Sequence, residues 1–493
     1  MVRAWAAELG AQADPHGRAT PLVQQRILEL EREHAAAFTT GARHAFQTMA
    51  AQLGARIAGP IQMPEDDTPY WLLGEHPLAG YRSSPELPVK ADVVVIGAGL
   101  TGASTAWHLA PLVRQGLKVV VLEAGDPACR ASGRNGGNFE LMPENFLGEY
   151  EGLPRERYKW LKRCHPKMND EERWKEAHRQ AEAVFRFGSR NTRAFLSIVA
   201  KAKIDCDLSA SGWLRIADTE REEQGIFEEV RFARRVGVKF ELWDPARIAA
   251  ELSIAARYSG RLAARNGNYH PFKFVCGVFA NVVRRGVNLQ TRTEVVGLSR
   301  HRDGVRVETA RGAVRARRVV FATNAFTSRL LPELSHIQYY QSQILNLEHV
   351  RDTIRGMTVT EKKGDLYYNF PGARRYTTAN GETRGMLHCG GGLDRPGKDP
   401  FALRRSNGVL ELVKGQVDER FPETVGQPPS RCWTGPMAFT PDRLPVIGFH
   451  SKKGYRGDSL IVAAGFNGYG GTYCVEAGRV AAGMVSNLPA STR

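Results

Sequence analysis

Ala91-Asp92-Val93-Val94-Val95-Ile96-Gly97-Ala98-Gly99-Leu100-Thr101-Gly102 is followed, after a stretch of helical character, by Val119-Val120-Val121-Leu122-Glu123-Ala124-Gly125. The unbroken apolar run reads as a strand buried on both faces. Its glycines let the next turn lie against a pyrophosphate, and the helix predicted over 102–112 aims its first N–H groups at that anion. The second apolar strand ends in Glu123, about 20 residues past the last glycine, where a carboxylate accepts hydrogen bonds from a ribose and repels a 2′-phosphate. A lone GxGxxG is a weak signal. Strand, glycines, helix and second strand in this order predict a dinucleotide site whose contacts come from Gly97, Ala98, Gly99, Leu100, Thr101 and Gly102, then from Glu123 and Ala124.

A chain of 493 residues predicts two interleaved domains. The seven cysteines are scattered, with no CxxC pair and no Cys/His cluster at zinc spacing, so reduced thiols and no metal are expected. No apolar run is long enough to cross a bilayer. Residues 1–17 lack the apolar core of an export signal, and a cytoplasmic location is the expectation. The formal charge of +16 comes from Lys and Arg in twos and threes, such as Arg234-Arg235 and Arg374-Arg375, never in a long block. A solvated basic surface is favoured over steering of an acidic substrate, and specific nucleic-acid binding comes last.

Residues 1–62 stand apart as a helical extension, with two helices predicted over 22–59 and self-association as one use for them. Residues 63–90, rich in proline and aromatics, read as an extended lead-in. A helical stretch is predicted over 158–203, a strand over 213–217 and a helix over 272–285. Short strands follow at 295–298, 305–309 and 314–316, then a buried strand over 318–324. Strands at 339–347, 366–370 and 386–390 read as antiparallel members of a second sheet, and a last helix is predicted over 473–485.

Spacing alone does not separate FAD from NAD. The next glycine-rich loop, Ala131-Ser132-Gly133-Arg134-Asn135-Gly136-Gly137-Asn138, carries a hydroxyl, a guanidinium and an amide, and it can bring bare backbone against a flat ring. A simple NAD dehydrogenase has no need of it. With this loop the sequence resembles the FAD-dependent amine and amino-acid oxidoreductases of the D-amino-acid oxidase type, most of all γ-glutamylputrescine-oxidase-like members. The likeness extends to Pro69-Tyr70-Trp71 with His76-Pro77, to Asn268-Tyr269-His270-Pro271-Phe272-Lys273 and to Trp433-Thr434-Gly435. It continues through Thr440-Pro441-Asp442-Arg443-Leu444-Pro445-Val446-Ile447-Gly448 and Gly465-Phe466-Asn467-Gly468-Tyr469-Gly470-Gly471.

The resemblance implies an α/β fold in which a Rossmann-type FAD-binding domain (91–190 with 265–335 and 430–493) is interleaved with an antiparallel-sheet α+β substrate domain (191–264 with 336–429). It also implies roles. Gly97, Gly99 and Gly102 would hold the pyrophosphate and Glu123 the ribose. Ser132, Gly133, Arg134, Asn135, Gly136 and Gly137 would reach the phosphates and the flavin edge. Val295 would meet adenine through its backbone, and Thr323 and Asn324 would sit where the sheet returns to the cofactor. Gly435 and the loop of Gly465, Asn467, Gly468, Tyr469 and Gly470 would close over the flavin, and the helix after that loop would stabilise charge at the N1–C2=O edge. The spacing of Cys432 to Thr440-Pro441-Asp442 departs from the family's covalent attachment pattern, so non-covalent FAD is expected.

The implied reaction is hydride transfer from the carbon beside a substrate nitrogen to flavin N5, giving an imine that water hydrolyses, with O2 reduced to H2O2. An acid–base residue is not required, and none is named. The candidate substrate contacts are His270, Tyr367, Tyr368 and Trp433; alternation along a strand lets only one of the two tyrosines face a pocket. The many arginines favour an amine that carries a carboxylate. The competing readings are a quinone-linked dehydrogenase at a membrane surface, an RNA-binding, tRNA-modifying flavoprotein and a flavin-binding scaffold without turnover.

Overall fold

The computed structural model describes residues 63–143, 151–302, 304–361, 366–394 and 402–486. The helices expected over 22–59, and any self-association through them, lie outside the described residues.

Two large sheets and one two-stranded sheet organise the described residues. The first runs in the order Val446–Phe449, Leu460–Ala464, Gly312–Phe321, Lys90–Ile96, Val119–Leu122, Asn288–Gln290. All its neighbours on this path are parallel except the outermost pair, Val446–Phe449 with Leu460–Ala464. Val93, Val94 and Val95 are wholly buried because helices cover one face and the hairpin and loop side chains the other. The helix Leu100–Val113 connects the first two strands of the glycine motif. Against it pack Pro271–Val283 and Gly470–Ser486.

One strand expectation changes. The short strand at 314–316 and the buried strand at 318–324 are a single strand, Gly312–Phe321. Its first half pairs antiparallel with Gly304–Thr309 while Arg315 to Phe321 pair parallel with Lys90–Ile96, so Arg317-Arg318 marks no break. The long helix breaks instead. It becomes Leu153–Cys164 and Asp170–Ala202, because Pro166 interrupts it and Asn169 with Glu172 forms a capping box that starts the second helix.

The second sheet has the order Arg431–Phe439, Gln338–Arg351, Thr383–Asp394, Leu366–Asn369, Thr358–Glu361, Trp213–Ile216, Gly260–Ala263, Glu241–Trp243. It is antiparallel except where Thr358–Glu361 runs parallel to Trp213–Ile216. Arg431–Phe439, which the sequence assigned to the cofactor-binding segments, pairs with Gln338–Arg351 in this second sheet. An apolar strand does not announce which sheet it joins. Among the described residues no helix is long and apolar enough to cross a membrane.

Candidate active site

Two cavities of about 240 and 140 Å³ meet beside the first sheet, and residues of the second sheet line the smaller. Both are lined by Gly99, Ala131, Ser132, Ala322 and Asn324, so they form one elongated space. The glycine turn makes its floor. Gly97 has φ +103°, and a Cβ there would stand 2.7 Å from the Ala322 carbonyl oxygen; a Cβ on Gly102 would stand 1.9 Å from the Gly97 carbonyl oxygen. Only glycine lets strand, turn and helix close up in this way.

At one end Glu123 lines the larger cavity. Its carboxylate accepts from the Ala98 N–H at 2.7 Å and from the Gly125 N–H at 2.9 Å. Burial raises its pKa, and these two hydrogen bonds oppose the rise. At the junction, Ser132 Oγ accepts from the Leu100 N–H at 2.9 Å, so the second glycine loop touches the helix start.

That loop is pinned from behind by two indoles. Trp71 Nε1 donates to the Asn135 carbonyl at 2.7 Å and Trp433 Nε1 to the Arg134 carbonyl at 3.1 Å. Within it, Asn135 Oδ1 accepts from the Gly137 N–H at 2.7 Å and Arg134 Nη1 donates to the Thr434 carbonyl at 3.1 Å. Helices Leu100–Val113 and Gly470–Ser486 both begin on the smaller cavity. Two sets of helix-terminal N–H groups therefore face one space suited to negative charge. Tyr367 also lines it, and its hydroxyl is buried without a hydrogen-bond partner.

Residues 92–484 match the FAD dependent oxidoreductase (DAO) family. The chain belongs to that family. It is 26% identical over 430 residues to the gamma-glutamylputrescine oxidoreductase of Escherichia coli strain K12, covering 86% of this chain and 90% of the relative. To a D-amino acid dehydrogenase of Neisseria meningitidis serogroup C it is 23% identical, covering 81% and 97%. In fold it is similar to the L-amino acid deaminase of Proteus myxofaciens, with a TM-score of 0.64 at 16% identity over 87% of this chain and 96% of that one.

The elongated space of this FAD-dependent oxidoreductase fits the family's cofactor. It offers a carboxylate on the larger cavity, and two helix N-termini and an unpaired tyrosine hydroxyl on the smaller. Of the residues singled out in the sequence, Gly97, Glu123, Ala124, Val295 and Thr323 line the larger cavity. Leu100, Thr101, Arg134, Asn135, Gly136, Tyr367, Gly435, Gly468, Tyr469 and Gly470 line the smaller, and Gly99, Ser132 and Asn324 line both.

Others stand behind the walls. Ala98 spends its N–H on Glu123, Gly102 packs on Gly97, and a Cβ on Gly133 would meet the Ala128 carbonyl oxygen at 2.2 Å. Gly137 passes its N–H to Asn135. Asn324 Oδ1 accepts from the Gly465 N–H at 3.0 Å, and Asn467 Oδ1 from the Thr440 N–H at 2.8 Å, so Gly465 and Asn467 fix the C-terminal loop without lining the space.

Three of the four substrate candidates line neither cavity. Tyr368 turns to the opposite face of the sheet and packs edge-on against Phe421 at 5.3 Å, as strand alternation requires. His270 caps the helix Pro271–Val283 by accepting from the Lys273 N–H and lies 5.0 Å from the Trp71 ring. Burial and the neighbouring Lys273 charge lower its pKa to about 3. Trp433 is fully buried behind the Arg134 loop, so it covers neither cavity.

The sequence reading passed over Glu140, Ser342, Thr360 and Met437, all of which line the smaller cavity. Glu140 stands three residues after Gly137, within reach of a local reading of the sequence. The other three reach the site only through the second sheet. Among the described residues no group of three or more His, Cys, Asp or Glu side chains is placed to hold a metal.

Proposed function

We propose that this protein oxidises a small amine or amino acid, with FAD bound non-covalently along the elongated space. The observation that carries this reading is the continuity of the two cavities. A dinucleotide-type floor leads without a break to a chamber lined by residues of the second sheet, Tyr367 among them. The names of relatives, a gamma-glutamylputrescine oxidoreductase and a D-amino acid dehydrogenase, support the substrate class.

Bound FAD supplies the two-electron acceptor for a hydride. That acceptor would let the carbon–hydrogen bond beside the substrate nitrogen break with its electron pair on the hydrogen, while the nitrogen lone pair completes a C=N bond that water then opens. With dioxygen as the final acceptor, the two electrons and two protons would leave as hydrogen peroxide. The chain's own part is placement. Gly99 and Thr101 would present backbone to the pyrophosphate, Glu123 would hold the ribose, and the start of Gly470–Ser486 would stabilise negative charge. The Tyr367 hydroxyl contacts the substrate. Cys432 lies outside both walls, with Sγ 3.7 Å from Met63 Sδ, in keeping with a cofactor that is not attached there.

The test is an anaerobic absorbance titration of the purified protein with polyamines, N-methyl amines and D- and L-amino acids. A flavin band bleached by one class and restored by air, with stoichiometric peroxide, is the expected result. Restoration only by a quinone would transfer the acceptor role from dioxygen. A flavin band that nothing bleaches would overturn the amine reading. Release of FAD on acid denaturation checks the non-covalent bond.

A further inference from the structure

The abundance of arginine in the sequence pointed to a substrate held by a carboxylate. The chamber points the other way. Among its described lining residues only Glu140 and Arg134 are charged. Arg134 belongs to the cofactor loop, with Nη1 on the Thr434 carbonyl at 3.1 Å and Nε on the Cys129 carbonyl at 3.4 Å.

Glu140 is held where it is by the backbone before it. Asn138–Phe139 pairs antiparallel with Gly267–Asn268, and Asn138 Oδ1 accepts from Thr358 Oγ1 at 3.1 Å and from Asn369 Nδ2 at 2.9 Å. Phe139 is buried and stacks on Phe195 at 5.0 Å, which leaves the next residue on the chamber side. The Glu140 charge reaches the Tyr367 hydroxyl: after burial and Cys389, it is among the causes that raise that group's pKa. Glu140 already takes part in an interaction, and a carboxylate has lone pairs for several donors. Tyr367 and Tyr469 line the same chamber and offer π faces suited to a cation.

A carboxylate cannot serve the reacting nitrogen in its charged form, because that nitrogen must be neutral before its lone pair can form the C=N bond. We propose that the substrate is a diamine or polyamine, which Glu140 holds through a protonated nitrogen other than the one oxidised. This rests on the amine-oxidation reading above. It sets the substrate apart from α-amino acids, whose carboxylate would meet the Glu140 carboxylate in the same chamber.

The experiment uses the holoenzyme and three matched probe series: short α,ω-diamines, n-alkylamines of the same length and ω-amino acids of the same length. Their end groups are positive, neutral and negative. Apparent dissociation constants come from the concentration dependence of anaerobic flavin bleaching. The expected order is diamine tightest by about tenfold or more over the alkylamine, as for a charge-assisted contact, and the ω-amino acid weakest.

In Glu140→Gln the diamine advantage falls to within about threefold, while flavin content and melting temperature report that the variant is folded. An ω-amino acid or alkylamine bound as tightly as the diamine by the wild-type protein would overturn the proposal without any variant. So would an undiminished diamine advantage in folded Glu140→Gln. Bleaching by α-amino acids but by no diamine would overturn this inference and leave amine oxidation standing, whereas no bleaching by any amine or amino acid would remove both.

Discussion

Gly390 makes room for the hydroxyl of Tyr367: a Cβ on residue 390 would stand 2.5 Å from that oxygen and 2.7 Å from the ring carbon that bears it. The two residues are register partners on Leu366–Asn369 and Thr383–Asp394. On the other side a Cβ on Gly136 would meet the same ring at 2.5 Å, so the tyrosine is seated between the cofactor loop and a neighbouring strand. Gly390→Ala forces the ring to move, at a cost of about 1–3 kcal/mol for overpacking. The expected outcome is a KM raised by about tenfold with flavin content little changed, because Gly390 lines neither cavity. Steady-state kinetics beside the flavin-to-protein absorbance ratio checks it, and an unaltered KM would show that the Tyr367 position does not matter to substrate.

Glu123 satisfies two backbone N–H groups with its two oxygens. In Glu123→Gln one of them faces an amide that has only donors on that side, and an unpaired buried N–H costs about 1–3 kcal/mol. FAD affinity is therefore expected to fall by about tenfold or more, read by titrating apoprotein with FAD and following flavin fluorescence. Equal affinity in wild type and variant would contradict the role given to Glu123.

Trp433 and Trp71 hold carbonyls of the second glycine loop rather than covering the site. Trp433→Phe keeps the ring in the core but removes the donor to the Arg134 carbonyl, a loss of about 1 kcal/mol. The expected effect is a several-fold weaker FAD dissociation constant with substrate KM close to wild type at saturating FAD. The opposite split, an intact FAD constant and a raised KM, would return Trp433 to the substrate.

Burial, with the nearby charges of Glu229 and Glu151, pushes the Glu156 carboxyl up to about 8, against an ordinary value of 4.5; a hydrogen bond from the Glu151 N–H resists the rise. The folded chain thus keeps this proton over a range where the unfolded chain has lost it. The linked stability is fully present below about 4.5, declines as pH rises toward 8 and is gone above it. Glu156→Gln removes this decline. Urea unfolding at acid, neutral and alkaline pH should show the variant gaining on wild type as pH rises. Parallel pH profiles for the two proteins would refute the assignment.

What the sequence determined by itself lies in short-range patterns. The apolar run at 91–96 with Gly97, Gly99 and Gly102, and the acid ending the second strand, were legible because a parallel strand, a tight turn and a helix start each leave their mark within a few residues. The loop of Ser132 to Gly137 was legible for the same reason. What only the tertiary structure decided depends on partners far along the chain. Tyr367 and Tyr368 are equivalent in sequence, and sheet orientation alone sends one to the chamber and the other against Phe421. Trp433 looks like a lid until its N–H is seen on the carbonyl of a residue 299 positions away. Composition counts charges without placing them. Folding ties Arg134 into the cofactor loop and leaves Glu140 on the chamber wall, since which side chain faces a cavity is fixed by strand register and packing between two sheets, which local spacing does not encode.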